Sequence, residues 1–505
     1  MKINLFSHGD KLKILRMFCL VMAPVISIAS FLITIPNTPF RIAVLGLLLL
    51  GTATYYFEGV FPLSDLLFLF LWVGTFVFGK AFSLISFTAA GIPFYITEIL
   101  LFGSLLFILM QFRVAWDQWR QTLPLGLFLA LILYILLGTV YILVGLKVRG
   151  VQALRDVTFC HYTLFTFVTL HVLRTHDKIK SLPAMFFPGA VLLIVIGYLR
   201  NFVPPMGGVA LSRFISAAKT FNWAFVYGLI ALVVLTFYAF KEKDKSTRKR
   251  KIGEGFLIYS GLLFVVMSDV RASWAGLILA LVFLWIILKK EIKVMLIILP
   301  VLVVSVFVID YVFERTQLLA KLSEEVESLL PGAERTYPKM NIIFRMRIWN
   351  QTLDKIKEKP LLGWGFGSFP RYVIQKRLTP QIKGEGLLPG SMLIPPHNHL
   401  LVVGYKMGIV GLAFFIVINL WVFLVGVGYI KTCRDPFNRR ILIAVLSGFV
   451  YWHGIAFFFD VLESPPTGIF LWILLGSIMA IVHIDKNGGP RNTRNTRKNT
   501  EEMEK

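Results

Sequence analysis

Hydrophobic residues in this chain come in long blocks rather than in alternation. Runs of roughly 18 to 23 apolar residues recur along most of its length, each long enough to cross a ~30 Å hydrocarbon core as a helix. They lie near 14–35, 40–58, 63–79, 93–111, 123–146, 157–174, 182–203, 222–240, 254–270, 272–288, 292–313, 408–430, 440–460 and 465–483. The pattern predicts an all-α polytopic membrane protein with about 12–14 transmembrane helices. The one long interruption is 314–396, about 83 residues. Inside it, 316–330 (QLLAKLSEEVESLLP) and 342–357 (IIFRMRIWNQTLDKIK) place apolar residues at helical spacing. Both read as amphipathic helices that lie along a membrane surface or roof the bundle. The organisation this predicts is a helical bundle over 1–313, a loop domain over 314–407, further spans over 408–483 and a polar, disordered tail over 484–505.

Composition agrees with that class. Of 505 residues, 57% are hydrophobic and only 16% charged, against about 25% charged in a soluble protein. Mean hydropathy is +0.74. The formal net charge of +24 is largely topogenic. With the N-terminus cytoplasmic and the spans alternating, the loops 112–122, 174–181, 241–253, 289–291, 431–439 and the tail fall on one side. They hold KEKDKSTRKRK at 241–251, Lys289-Lys290 and KTCRDPFNRR at 431–440, as the positive-inside rule requires of cytoplasmic loops. Lys11, Lys13 and Arg16 before the first span suit an uncleaved cytoplasmic start. The charge therefore meets anionic lipid on the inner leaflet and gives no reason to expect nucleic acid.

Cations on the opposite face need another explanation. They are Lys147, Arg149 and Arg155 in one loop, Arg213 and Lys219 in a second, Arg271 at a hairpin tip (SDVRASWAGL), and Arg345 and Arg347 in the long loop. Lys147 and Arg149 read as side chains that snorkel to lipid phosphate. An arginine wedged between two spans is costly unless paired, so Arg271 reads as part of an anion site. Arg345 and Trp349 are four apart and share a helix face. Pro360, Gly363, Gly365 and Gly367 then break the chain into a tight turn. GWGFG lacks the preceding strand and the Gly-Lys-Ser of a phosphate loop; it reads as a turn that brings backbone close to a membrane helix. His397-Asn398-His399 follows Pro395-Pro396 at the outer surface, where a neutral imidazole can take a proton from a hydroxyl. No third ligand stands at a zinc-like spacing, and Cys19, Cys160 and Cys433 are too scattered for a disulfide framework. No metal or cofactor is expected.

Together these residues resemble a family. Arg345-x-x-x-Trp349, Pro360-x-x-Gly363-x-Gly365-x-Gly367-x-Phe369, His397-Asn398 and Gly408-x-x-Gly411 look like the O-antigen ligase and O-antigen polymerase family of bacterial envelope enzymes. SDVRASWAGL resembles its Ser-Arg hairpin, with Val270 in place of the usual serine, and RFISAAKTFNWA at 213–224 its outer-face segment. The resemblance covers roughly 150–430 and implies a GT-C-like fold with one large periplasmic loop domain in the bacterial inner membrane, both termini cytoplasmic. It implies inverting, metal-independent transfer of a glycan from undecaprenyl diphosphate to an acceptor hydroxyl. In a ligase the acceptor is a lipid A-core sugar; in a polymerase it is another lipid-linked repeat unit. The family's two arginines and one histidine carry over to Arg271, Arg345 and His397. Arg213, Lys219, Arg347, Arg155, His399 and Asn398 would line the substrates. His397 and His399 are not separable as the base by chemistry alone; the family register favours His397. A metal-dependent oligosaccharyltransferase fits less well, since the first outer loop, PNTP at 36–39, has no carboxylate. A lipid-linked glycan flippase would show repeat-related halves, which this sequence lacks.

Overall fold

The computed structural model describes residues 86–89, 92–180, 221–239, 248–267, 270–288, 337–373, 391–393, 396–462 and 465–488, with isolated positions between 182 and 194. The expected spans 14–35, 40–58, 63–79 and 292–313, the expected helix 316–330 and the tail lie outside these residues. So do Arg213 and Lys219, and most of the span 182–203.

The described elements, in chain order, are β1 (Ser86–Ala89), β2 (Ile92–Tyr95), α1 (Ile96–Met110), α2 (Phe112–Thr122), α3 (Leu125–Arg149), α4 (Leu164–Val172), α5 (Phe221–Ala239), α6 (Arg248–Met267), α7 (Arg271–Leu288), α8 (Tyr337–Glu358), β3 (Arg371–Val373), β4 (Ser391–Leu393), α9 (His399–Tyr429), α10 (Pro436–Ala456) and α11 (Pro465–Gly488). The architecture is helical. To the all-α expectation it adds two short antiparallel pairs, β1 with β2 and β3 with β4. Three helical runs, Leu125–Val172, His399–Tyr429 and Thr467–Asn487, are long and apolar enough to cross a membrane, and Phe225–Tyr238, Ile252–Met267 and Ala272–Leu288 are shorter apolar helices. This is a multi-pass membrane protein.

The first of those runs doubles back. Gly150 has φ 62°, and helical turns follow over Gly150–Asp156, Val157–Cys160 and His161–Thr163. A Cβ on Gly145 would lie 2.7 Å from Ala153 Cβ, and one on Gly138 would lie 2.2 Å from Cys160 Cβ. Pairs that step apart evenly in this way are antiparallel neighbours. The expected span 157–174 is thus tight turns followed by the nine-residue α4, not one continuous α-helix.

Other close approaches fix the helix directions. Gly126 meets Trp421 and the Tyr141 hydroxyl donates to Met407 O at 3.2 Å, so α3 and α9 are antiparallel. Gly468 meets Tyr162 and Gly476 meets Thr169, so the 162–169 segment descends beside α11. Tyr227 packs on Phe264 and Gly261 on Ala231, making α5 and α6 antiparallel. Gly228 meets Tyr451 and Gly448 meets Leu229, making α5 and α10 antiparallel. One end of the bundle therefore gathers the C-termini of α3, α6 and α10 and the N-termini of α5, α7, α9 and α11. We call this the site end. At the opposite end, Asp485 of α11 accepts from the Tyr429 hydroxyl at 2.8 Å, from the backbone N–H groups of Arg434 (2.8 Å) and Asp435 (3.0 Å), and from Asn438 Nδ2 (3.0 Å). Asp435 also caps α10, accepting from Phe437 N at 2.8 Å with Pro436 in the first turn.

Candidate functional site

The Gly-rich turn after α8 is spliced into a membrane helix. Within α9, Gly408 has φ 64° and ψ −168°, which interrupts the helix and frees carbonyls before it and N–H groups after it. The turn supplies their partners. Trp364 N donates to Tyr405 O and Gly365 N to Lys406 O, both at 2.8 Å, while Ile409 N donates to Pro360 O at 2.8 Å and Val410 N to Leu361 O at 3.3 Å. Tyr141 of α3 bonds Leu362 O (2.6 Å) as well as Met407 O. A broken helix inside a membrane protein is tolerated only when its backbone groups are satisfied again. Glycine is required at two of these positions. A Cβ on Gly363 (φ 65°) would lie 2.5 Å from Gly408 N, and one on Gly408 would lie 2.2 Å from Leu361 O.

Buried charges lock the splice. Lys406 Nζ and Asp156 Oδ1 are 2.5 Å apart, both side chains 2% exposed, and Asp156 Oδ2 accepts from Gly367 N at 2.7 Å. Arg149 Nη1 donates to Phe366 O (2.9 Å) and Gly365 O (3.2 Å). Arg149 therefore clamps the turn; the expectation that it snorkels to lipid is corrected, because carbonyls left without helical partners lie within its reach. Phe366 is fully buried between Tyr141 and Phe159. Arg155 lies over the Phe369 ring at 5.5 Å.

α8 and the start of α9 meet on a short segment after α10, Phe457–Asp460. Arg345 Nη1 reaches Phe458 O at 3.4 Å. Trp349, one turn on, donates from Nε1 to Pro396 O at 2.8 Å and sets its ring edge-on to Phe457 at 5.9 Å, so the expected shared face of Arg345 and Trp349 is present. Asn398 caps α9, accepting from Leu401 N at 3.1 Å and donating from Nδ2 to Phe457 O at 3.0 Å. His397 stands between these anchors. It is half-buried, its ring is 5.9 Å from Phe459, and among the described residues it is the one non-glycine with positive φ, 50°. A bulky residue in that region is strained, and such strain gathers at functional sites.

His399 is placed differently. It is fully buried, stacked on Phe159 (5.9 Å) and edge-on to Phe415 and Trp452, with Nδ1 3.5 Å from Asp460 Oδ1. The structure gives it no surface for an acceptor to touch. The triplet splits because Asn398 starts the helix, leaving His397 outside and turning His399 into the core.

Arg347 is half-buried, and its Nη1 has no hydrogen-bond partner among the described residues. Arg271 is the first residue of α7. A Cβ on Gly454 would lie 2.6 Å from Gly276 Cα, so α7 and α10 cross backbone to backbone there. Arg271 precedes Gly276 by five residues, about 7.5 Å of helix rise, toward the end where Phe457–Asp460 emerges. Its backbone thus approaches the level of the Arg345–His397 cluster. Sequence reasoning missed Phe457–Asp460, Asp156 and Lys406. The available signals were a carboxylate between two apolar runs in FFFDVLE and a lysine within LVVGYKMGIVGL.

The family comparison falls on this same region. Residues 255–416 match the family model described as O-antigen ligase, a stretch that holds Arg271, Arg345, His397 and the break at Gly408. Over 163 residues, 32% of this chain, the sequence is 26% identical to a Rickettsia typhi (strain ATCC VR-144 / Wilmington) protein that bears the name of a candidate polysaccharide ligase; the match spans 37% of that relative's length. The chain is thus similar to the O-antigen ligases through the segment that contains Arg271, Arg345, His397 and the spliced turn.

Proposed function

We propose that this chain is a membrane glycosyltransferase of the O-antigen ligase type, acting at the periplasmic face of the bacterial inner membrane. It moves a polysaccharide from undecaprenyl diphosphate to a sugar hydroxyl of the lipid A core. The observation that carries the reading is the convergence of Arg345, Trp349, Asn398 and His397 on Phe457–Asp460, at the end of the bundle where α7 begins. Arginines and a strained, half-exposed histidine at one end of a membrane bundle suit a reaction between a phosphate-bearing lipid and a hydroxyl. The opposite end carries the basic segments 112–122 and 431–440, which the positive-inside rule assigns to the cytoplasm; residues 314–407 would then form the periplasmic loop domain.

In this mechanism His397 takes the proton of the acceptor hydroxyl as its oxygen attacks the anomeric carbon. The bond from that carbon to the diphosphate oxygen breaks, and undecaprenyl diphosphate leaves from the opposite face, so the configuration inverts. Arg345 and Arg271 bind the diphosphate and stabilise the charge that grows on it, through bidentate, charge-assisted hydrogen bonds. Arg347, Arg213, Lys219 and Arg155 extend the cationic surface. Asn398 holds the backbone that presents His397, and His399 with Asp460 supports it from the core. The arginines stay charged throughout, so the step calls for no metal and EDTA leaves it unchanged.

A deletion strain tests the assignment. Loss of all capped lipopolysaccharide, with polymer accumulating on the carrier lipid, supports a ligase. Survival of single-repeat caps identifies a polymerase, and normal long-chain capping contradicts both.

A further inference from the structure

The end of the bundle remote from the site carries a feature that glycan transfer does not use. α1 and α2 bend by 100° at Gln111, so α2 runs across the bundle axis rather than along it. Its inward side is fixed to the protein: Ala115, Trp119 and Thr122 are buried, Trp119 Nε1 donates to Phe167 O at 3.1 Å, and Gln118 Nε2 donates to Leu170 O. At 100° per residue, Phe112 and Trp116 occupy the sector beside that buried side, and Arg113 and Arg120 the next one out. All four are exposed. Trp116 meets Phe128 at the start of α3, 5.4 Å away. A helix lying in the membrane interface has this layout, with an apolar edge toward acyl chains and cations at headgroup level.

The surface continues beyond α2. His176 Nε2 lies 3.1 Å from Asp435, joining the segment after α4 to the α9–α10 connection, and Asp485 ties that connection to α11. Lys180, Lys431, Arg434 and Lys486 are exposed there with Arg113 and Arg120. Among the described residues of this end, Asp117 and Asp177 are the exposed carboxylates, while Asp435 and Asp485 are engaged in capping. The surplus is cationic and stands next to exposed apolar rings.

We propose that this end is a docking surface for anionic phospholipid headgroups, with α2 lying in the headgroup layer and Arg113 and Arg120 contacting lipid phosphate. The occupant is a lipid surface rather than a soluble acidic partner, because Phe112 and Trp116 border the arginines and continue the apolar belt of α3. The proposal does not depend on the glycosyltransferase reading.

Native mass spectrometry of the full-length protein, titrated with phosphatidylglycerol or phosphatidylcholine in detergent, tests it. Wild type binds phosphatidylglycerol in preference. Arg113→Gln with Arg120→Gln weakens that binding on the order of 30-fold, from ~1 kcal/mol per charge near an anionic surface. Arg113→Lys with Arg120→Lys keeps the preference, which separates headgroup attraction from misfolding, and 0.5 M salt suppresses it. Lys357→Gln, at the site end, changes nothing. Equal binding of the two lipids by wild type overturns the proposal, as does undiminished phosphatidylglycerol binding by the double Gln variant.

Discussion

The splice between the Gly-rich turn and α9 makes a graded prediction about three glycines. At Gly363, a Cβ would meet Gly408 N at 2.5 Å and Tyr405 O at 2.6 Å, both backbone atoms, and φ is 65°. No rotamer relieves that clash, so the turn must back away from α9. The left-handed backbone alone costs an alanine ~1–2 kcal/mol, and overpacking adds ~1–3 kcal/mol. Separation also weakens four junction hydrogen bonds, each worth ~1 kcal/mol net. Gly363→Ala therefore destabilises the junction by about 3–5 kcal/mol. Gly365 has φ 80°, but its Cβ would meet only Arg149 Nη1 at 3.5 Å; Gly365→Ala bears the backbone term alone, ~1–2 kcal/mol. At Gly253 nothing lies within 4 Å of the added Cβ, and a mid-helix alanine is better than glycine by up to ~1 kcal/mol. Hydrogen exchange of peptides covering 360–367 and 405–410 reads the junction directly. A 3 kcal/mol loss speeds exchange by opening roughly 100-fold or more, against about tenfold for Gly365→Ala and no increase for Gly253→Ala. Equal protection in Gly363→Ala and wild type would refute the splice, and so would Gly365→Ala behaving as badly as Gly363→Ala.

Two further outcomes follow from the same junction and a third from the opposite end of the bundle. Asp156→Asn or Lys406→Met alone breaks a buried ion pair and costs about 3–5 kcal/mol; the double variant loses clearly less than the sum, and thermal melting of all four proteins in a double-mutant cycle measures the difference. Arg149→Met leaves Gly365 O and Phe366 O without their charged donor, costing about 2–3 kcal/mol; it lowers the melting temperature, whereas Lys147→Met, a residue with no bond to the turn, does not. Cys433 lies in the α9–α10 connection, where burial first and the nearby Asp485 carboxylate second push its thiol up to about 12. The protonated form therefore dominates below that pH and the thiol resists iodoacetamide at pH 8, with alkylation rising only as pH approaches 12; rapid labelling of folded protein at pH 8 contradicts this.

What the sequence made legible, and what it hid, divides along physical lines. Apolar blocks located the described spans closely, because a helix in lipid must satisfy its own backbone and cover itself with apolar side chains. The expected helix 342–357 appears as Tyr337–Glu358, and the i, i+4 relation of Arg345 and Trp349 held because it is local geometry. The block 157–174 misled. Its threonines at 158, 163, 166 and 169 are all buried beside α3 and α11, and hydrophobicity cannot distinguish a helix from turns that pack equally deep. The pairing of Gly363 with Gly408 was hidden for another reason: MGIVGL reads as continuing helix until the turn from 45 residues upstream is seen to supply the missing partners. The separation of His397 from His399 depends on where Asn398 starts α9, and on Asp460 and Trp452 from a later part of the chain. The loop Phe457–Asp460 carries no motif; its importance lies in four carbonyl or ring contacts that only the folded bundle creates.

As proposed, His397 activates the acceptor at a site completed by Arg345. Glycan transfer from purified undecaprenyl diphosphate-linked donor to lipid A-core acceptor, with the His397→Ala variant reconstituted at wild-type melting temperature, tests it most directly. The expected result is loss of transfer by at least about 100-fold, the scale of a general base, with donor binding retained through the arginines. Transfer at the wild-type rate would contradict it.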